Sequence, residues 1–127
     1  MLTYAFAICD MIRCSVTPVV TYGSGEVCSA GFLILACGHQ RFVYENTTLM
    51  YHQLSWQSHY GKFKDVDETN NQIKKDQEKL DKIILDVTNI TKDKLDAINE
   101  KKQDWFMDAR EAKKLGVIDD IIKIPKK

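Results

Sequence analysis

From Cys28 to Cys37 the side chains are small or apolar on every side, which suits a helix buried all round, and Gly38 stands where a C-terminal cap belongs. A helix without a polar face needs other layers around it, and the flanking segments supply them. Val16 to Tyr22 is rich in β-branched residues and reads as a strand, with Pro18 keeping its early part from a fully paired central position. Gly23-Ser24-Gly25 then interrupts the backbone before the buried helix. Downstream, Arg41 to Tyr44 and Thr48 to Gln53 resemble two short strands separated by the turn residue Asn46. Upstream, Leu2, Ala5, Phe6, Ile8, Met11 and Ile12 recur near helical spacing and predict an amphipathic helix over the first dozen residues. Strands alternating with helices favour α/β layers over a helical bundle.

The character of the chain changes after Ser55. Lys64 to Asn89 is mostly charged or amide side chains, with Val66, Ile73, Leu80 and Val87 at every seventh position and Ile83 and Ile84 between them. This predicts a long helix with a narrow apolar stripe. Its polar first half reads either as standing clear of the globular body, packing at its base or against another subunit, or as an ordinary solvent-facing helix. Thr91 can cap a short helix through Asn99, and Asp108 with Glu111 three positions later makes a capping-box-like start for a helix ending at Leu115-Gly116. Val117 to Ile124 reads as a closing strand or extended edge.

At 127 residues with 44% hydrophobic content the chain has one core's worth of material, so residues 1–127 are expected to form a single domain. Lys plus Arg and Asp plus Glu each number 18, and this balance argues against nucleic acid or an anionic membrane as partner. Gly31 to Cys37 is far too short to span a bilayer and the first residues lack a basic signal start, so a soluble, cytoplasmic chain is expected. Cys9, Cys14, Cys28 and Cys37 show no CxxC spacing, three lie in apolar segments, and His39, His52 and His59 are not spaced with them as ligands. Free thiols and no metal or other cofactor are the reading.

Two residues stand out for chemistry. Ser29 falls in the first turn of the buried helix, where unpaired N–H groups, notably that of Ala30, could stabilise an oxyanion. A plain helix cap is the competing role. His52 ends the apolar run Leu49-Met50-Tyr51, at the carboxyl end of a strand, where α/β sheets keep their sites. It can serve as a general base to a serine, or be a core histidine satisfied by backbone.

The segment Gly25 to Phe32, Gly-Glu-Val-Cys-Ser-Ala-Gly-Phe, resembles the nucleophile motif of the Clp protease proteolytic subunit, and Met50-Tyr51-His52-Gln53 resembles that family's histidine motif. Asp104-Trp105-Phe106-Met107-Asp108-Ala109, with Glu111-Ala112 and Leu115 to Asp119, resembles its C-terminal signature. Three motifs in order span nearly the whole chain. The resemblance implies an α/β, ClpP-like and crotonase-like layered fold with a projecting handle helix at about 64–89. It implies a serine endopeptidase that cleaves unfolded polypeptides or peptides, with Ser29 as nucleophile, His52 as base and Ala30 N–H in the oxyanion hole. The family pattern points to Glu100 as the acid, where aspartate is usual, with Asp96 and Asp104 as alternatives. The implied partners are copies of itself in a ring, a heptamer or stacked double ring, and an ATP-driven AAA+ unfoldase.

The resemblance further implies that the strands and glycine-rich loop which precede the first helix in the family are lacking here, leaving roughly the last two-thirds of a subunit. That loop donates one of two oxyanion N–H groups, and losing one donor costs about 100- to 1000-fold in turnover. A weak peptidase is therefore expected of the chain alone. A catalytically silent ring or scaffold subunit is the alternative.

Overall fold

A computed structural model describes residues 2–54 and 63–127. The elements run α1 (Leu2–Cys14), β1 (Val20–Gly23), β2 (Glu26–Cys28), α2 (Ala30–Ala36), β3 (Gln40–Tyr44), β4 (Thr48–Tyr51), α3 (Phe63–Val87), α4 (Lys92–Lys101), β5 (Trp105–Met107), α5 (Ala109–Lys114) and β6 (Asp120–Ile122). The expected mixed α/β fold is present.

The strands form two sheets of three. In the first, β3 lies between β1 and β6 with all pairs parallel; in the second, β4 lies between β2, parallel to it, and β5, antiparallel to it. The chain steps from the first sheet into the second twice, side by side. Gly25 makes one step with φ 65°, a left-handed conformation that costs glycine little, and the Glu45-Asn46-Thr47 turn makes the other. The two crossings are tied together: Thr48 N–H donates to Gly25 O at 2.8 Å, and the buried Thr47 hydroxyl donates to Gly23 O at 3.3 Å. Pro18 and the bend before it hold β1 to four residues, shorter than the run of β-branched side chains suggests.

Helix α2 fills the centre, burying Phe32, Leu33, Leu35 and Ala36 against α1, α3 and strands of both sheets. The expected N-terminal caps of α4 and α5 are present, whereas α2 ends on Cys37 without a left-handed cap at Gly38. Thr91 Oγ1 accepts from Lys94 N–H at 3.3 Å, and Asp108 Oδ1 accepts from Glu111 N–H at 2.8 Å. In α3 the buried side chains are Leu80, Ile83 and Ile84, and none between 68 and 79 is buried. Val66 of the apolar stripe lies outside the residues whose side chains are described, and His59 lies outside the described residues altogether.

Cys9 and Cys37 are buried side by side between α1 and α2, Cys28 is half-buried and Cys14 exposed, all as free thiols. His39 is satisfied locally, its Nδ1 accepting from Val19 N–H at 3.0 Å. Among the described residues no helix is long and apolar enough to cross a membrane.

Arg41 joins the far ends of the chain. Its guanidinium donates to Val87 O at 2.6 Å and Gly116 O at 2.8 Å and pairs with Asp119 at 2.8 Å, while its own N–H donates to Asp119 Oδ2 at 2.8 Å. The Arg41 hydrogen bonds hold the Asp119 carboxyl below its ordinary range. The stability from this depressed group is full above the unfolded-state value and is lost as pH falls through the folded one. Arg41→Met should lower unfolding stability by about 2–4 kcal/mol in denaturant titrations, because it strands two carbonyls and a carboxylate together. Asp119→Asn should flatten the acid limb of the stability curve. An unchanged midpoint in Arg41→Met would show that the clamp contributes little.

Candidate active site

The site is assembled by strand register. β2 and β4 run parallel with Cys28 opposite Met50, and the ladder continues one bond further, from Ser29 N–H to Met50 O at 3.0 Å. Ser29 and His52 therefore leave neighbouring strands at the same carboxyl end, and strands pair at a spacing of about 4.8 Å. Both side chains line one narrow crevice, floored by Phe32, Leu54, Leu80 and Ile84.

Ser29 sits at the strand-to-helix junction with φ 55° and ψ −119°, a conformation that L side chains rarely adopt. It occupies the cap position of α2, yet its side chain makes no capping hydrogen bond, and it is exposed. The first hydrogen bond within α2 runs from Leu33 N–H to Ser29 O at 3.3 Å, so the N–H groups of Ala30 and its neighbours precede the helical ladder. A strained turn that raises a hydroxyl beside free N–H donors can present a nucleophile next to an oxyanion site.

His52 is half-buried, and its Nδ1 lies 2.7 Å from Gln53 O. A carbonyl only accepts, so Nδ1 carries the proton in this contact. That leaves Nε2 as the lone-pair nitrogen a general base needs.

The three acids of the sequence reading lie in different places. Glu100 is exposed on α4 and lines neither the serine crevice nor the open cleft beside it. Asp96 pairs with Lys92 at 2.6 Å on the surface of α4. Asp104 does line that cleft, with His52, Leu54, Ile73 and Lys102. The antiparallel β4–β5 pair ends at Tyr51 opposite Trp105, so His52, just after β4, and Asp104, just before β5, lie at the same end of the pair. Asp104 thus shares a cleft with His52, and Glu100 does not line it. Strand β5, which makes that juxtaposition, carries no sequence signal: three residues are too few for a period-2 pattern.

A polar cluster behind the histidine is likewise absent from the sequence reading. Tyr51 OH donates to Asn99 Oδ1 at 2.8 Å and accepts from Gln77 Nε2 at 3.1 Å; Gln77 Nε2 also donates to Asp81 Oδ1 at 2.6 Å. Burial, and then the Asp81 carboxylate, push the Tyr51 phenol up, so it stays protonated as a donor. The available signal was an amide at position 77, midway between Ile73 and Leu80 on the stripe of α3.

The whole span of residues 1–125 matches the family model described as Clp protease. Two relatives are each named ATP-dependent Clp protease proteolytic subunit 2. The one from Treponema pallidum (strain Nichols) is 33% identical over 129 residues, covering 96% of this chain and 63% of that protein. The one from Pseudomonas aeruginosa is 33% identical over 117 residues, covering 91% of this chain and 57% of that protein. The chain thus spans less than two-thirds of the length of either relative.

Backbone strain at position 29 has a measurable consequence. Ser29→Gly should be more stable than Ser29→Ala by about 1 kcal/mol, because only glycine relaxes at this φ. Equal stability, or the reverse order usual for alanine and glycine near a helix, would show that the turn is unstrained.

Proposed function

Since the chain belongs to the Clp protease family, we propose that it carries the active site of a serine endopeptidase acting on unfolded polypeptides or short peptides. The observation that carries this reading is the shared strand-end crevice of Ser29 and His52, with the serine in a strained turn and its side chain not used as a cap. In the proposed reaction Ser29 Oγ attacks the peptide carbonyl carbon as His52 Nε2 takes the hydroxyl proton. The Ala30 N–H donates to the oxyanion. Collapse breaks the C–N bond, and the imidazolium returns the proton to the leaving amine. Water then repeats the sequence on the acyl-enzyme.

Asp104 is the acid this reading favours, because it shares a cleft with His52 at the end of the β4–β5 pair. Its carboxylate would stabilise the imidazolium that forms on proton transfer. Glu100, the residue indicated by the family pattern, has no comparable support.

The two relatives' names speak of ATP dependence and of a proteolytic subunit. By extension we take the protein to act in a ring of copies, a heptamer or a stacked double ring, fed by an ATP-driven unfoldase. The stretch of α3 without buried side chains would serve as the handle between rings.

A second reading, a catalytically silent ring subunit, draws on the His52 Nδ1 proton being held by Gln53 O instead of a carboxylate. Fluorophosphonate labelling separates the two. The peptidase reading expects covalent modification at Ser29, abolished in Ser29→Ala and His52→Ala. Asp104→Asn should slow labelling about tenfold or more, and Glu100→Gln should leave it within about twofold. Absence of labelling in the folded protein would overturn the peptidase, while loss in Glu100→Gln alone would return the acid role to α4. Sedimentation at the mass of a ring is expected, and a monomer at micromolar concentration would remove the ring from the proposal.

A further inference from the structure

Gln77 reaches the proposed base through one peptide group. Its Oε1 accepts from Leu54 N–H at 2.9 Å. That N–H belongs to the same peptide unit as Gln53 C=O, which holds the His52 Nδ1 proton at 2.7 Å. A peptide unit is planar and rigid, so fixing its N–H end fixes the direction of its carbonyl end. The other end of Gln77 is fixed as well, because its amide nitrogen donates to Asp81 Oδ1 at 2.6 Å and to Tyr51 OH at 3.1 Å. Both hydrogens and the oxygen of the amide are used, so the side chain cannot flip without losing partners. Gln77 thereby contacts the chain on both sides of His52, at Tyr51 before it and Leu54 after it.

We propose that Gln77 is a positioning residue that sets the tautomer and ring orientation of His52 by orienting the Gln53–Leu54 peptide, with Asp81 as its anchor. The claim about the imidazole stands on these contacts; its effect on catalysis rests on the peptidase reading. Hydrogen bonds in series polarise one another, so the contact from Leu54 N–H to Gln77 strengthens the acceptor that holds Nδ1–H. The imidazole is thus kept with Nε2 unprotonated on the side of the crevice shared with Ser29. The control lies on α3, the same helix whose stretch from 68 to 79 carries no buried side chain. A displacement of α3 at Gln77 would pass directly to the base.

The test pairs two single variants with one double variant. Gln77→Met keeps the shape and removes every hydrogen bond, whereas Gln77→Glu keeps the acceptor for Leu54 N–H but faces Asp81 with a second carboxylate. Gln77→Glu/Asp81→Asn restores a donor and acceptor pair between the two positions. The readouts are the ring-nitrogen NMR signature of the His52 tautomer, exchange of the Leu54 amide proton, and the rate of Ser29 labelling by a fluorophosphonate. In both single variants the Nδ1–H tautomer should give way to a mixture. The Leu54 amide should exchange about tenfold faster in Gln77→Met, and labelling should slow by a similar factor in both. The double variant should return tautomer and labelling to within about twofold of the parent, a coupling that loss of packing alone would not produce. An unchanged His52 signature in both single variants, or a double variant no better than Gln77→Glu, would overturn the positioning role. Failure of the parent protein to label at Ser29 would instead overturn the peptidase reading, and the NMR readouts would still decide the role of Gln77.

Discussion

The hydrogen-bond register of β4 with its two neighbours is the constraint on which the candidate site depends. On one side the parallel ladder with β2 carries Ser29 to the level of Tyr51, through the bond from Ser29 N–H to Met50 O. On the other the antiparallel ladder with β5 ends at Tyr51 opposite Trp105, with Asp104 and His52 beyond it lining one cleft. His52 therefore lines two adjoining cavities, one with Ser29 and one with Asp104. A slip of one residue in either ladder would turn the corresponding side chain to the opposite face, because strand side chains alternate with a period of two. The buried side chains Val27, Leu49, Tyr51, Trp105 and Met107 hold the register, since each slip would bring them to the solvent side.

Helix α2 serves that register and the chemistry together. Its apolar surface lets both sheets and two helices pack around it, and its start is where the backbone turns sharply at Ser29. The strain of that turn is offset by the packing behind it: Phe32, Leu33, Leu35 and Ala36 are all buried within seven residues. At the opposite end of the fold, Arg41 binds the ends of α3 and α5 to Asp119 and so ties in the C-terminal strand. The relation between α3 and the site follows from the same economy. A helix that buries only Leu80, Ile83 and Ile84 among its described side chains still touches the histidine segment through the half-buried Gln77.

Some of this could be read from residue order. The buried helix, the glycine break before it, the long polar helix, the Thr91 and Asp108 caps and the free thiols are local or compositional properties, and they have the predicted character in the fold. Ser29 and His52 stood out because each lies in a distinctive motif at a strand end. The strands β2 and β5 did not, being three residues long, so nothing in the sequence placed Asp104 in the cleft of His52. Glu100 and Asp96 fall on the outer surface of α4, whose rotation about its axis is set by burial of Leu95 and Ile98.

By itself, then, the sequence determined where the helices and the strands β1, β3, β4 and β6 fall, and which two residues to weigh for chemistry, because propensity, patterning and motif act over a few residues. Only the tertiary structure decided which acid shares a cleft with the histidine, which carbonyl lies against its Nδ1 and which amide bonds the next peptide N–H. The contact from Leu54 to Gln77 joins residues 23 positions apart, and its geometry follows from strand pairing and helix packing, which no local pattern encodes.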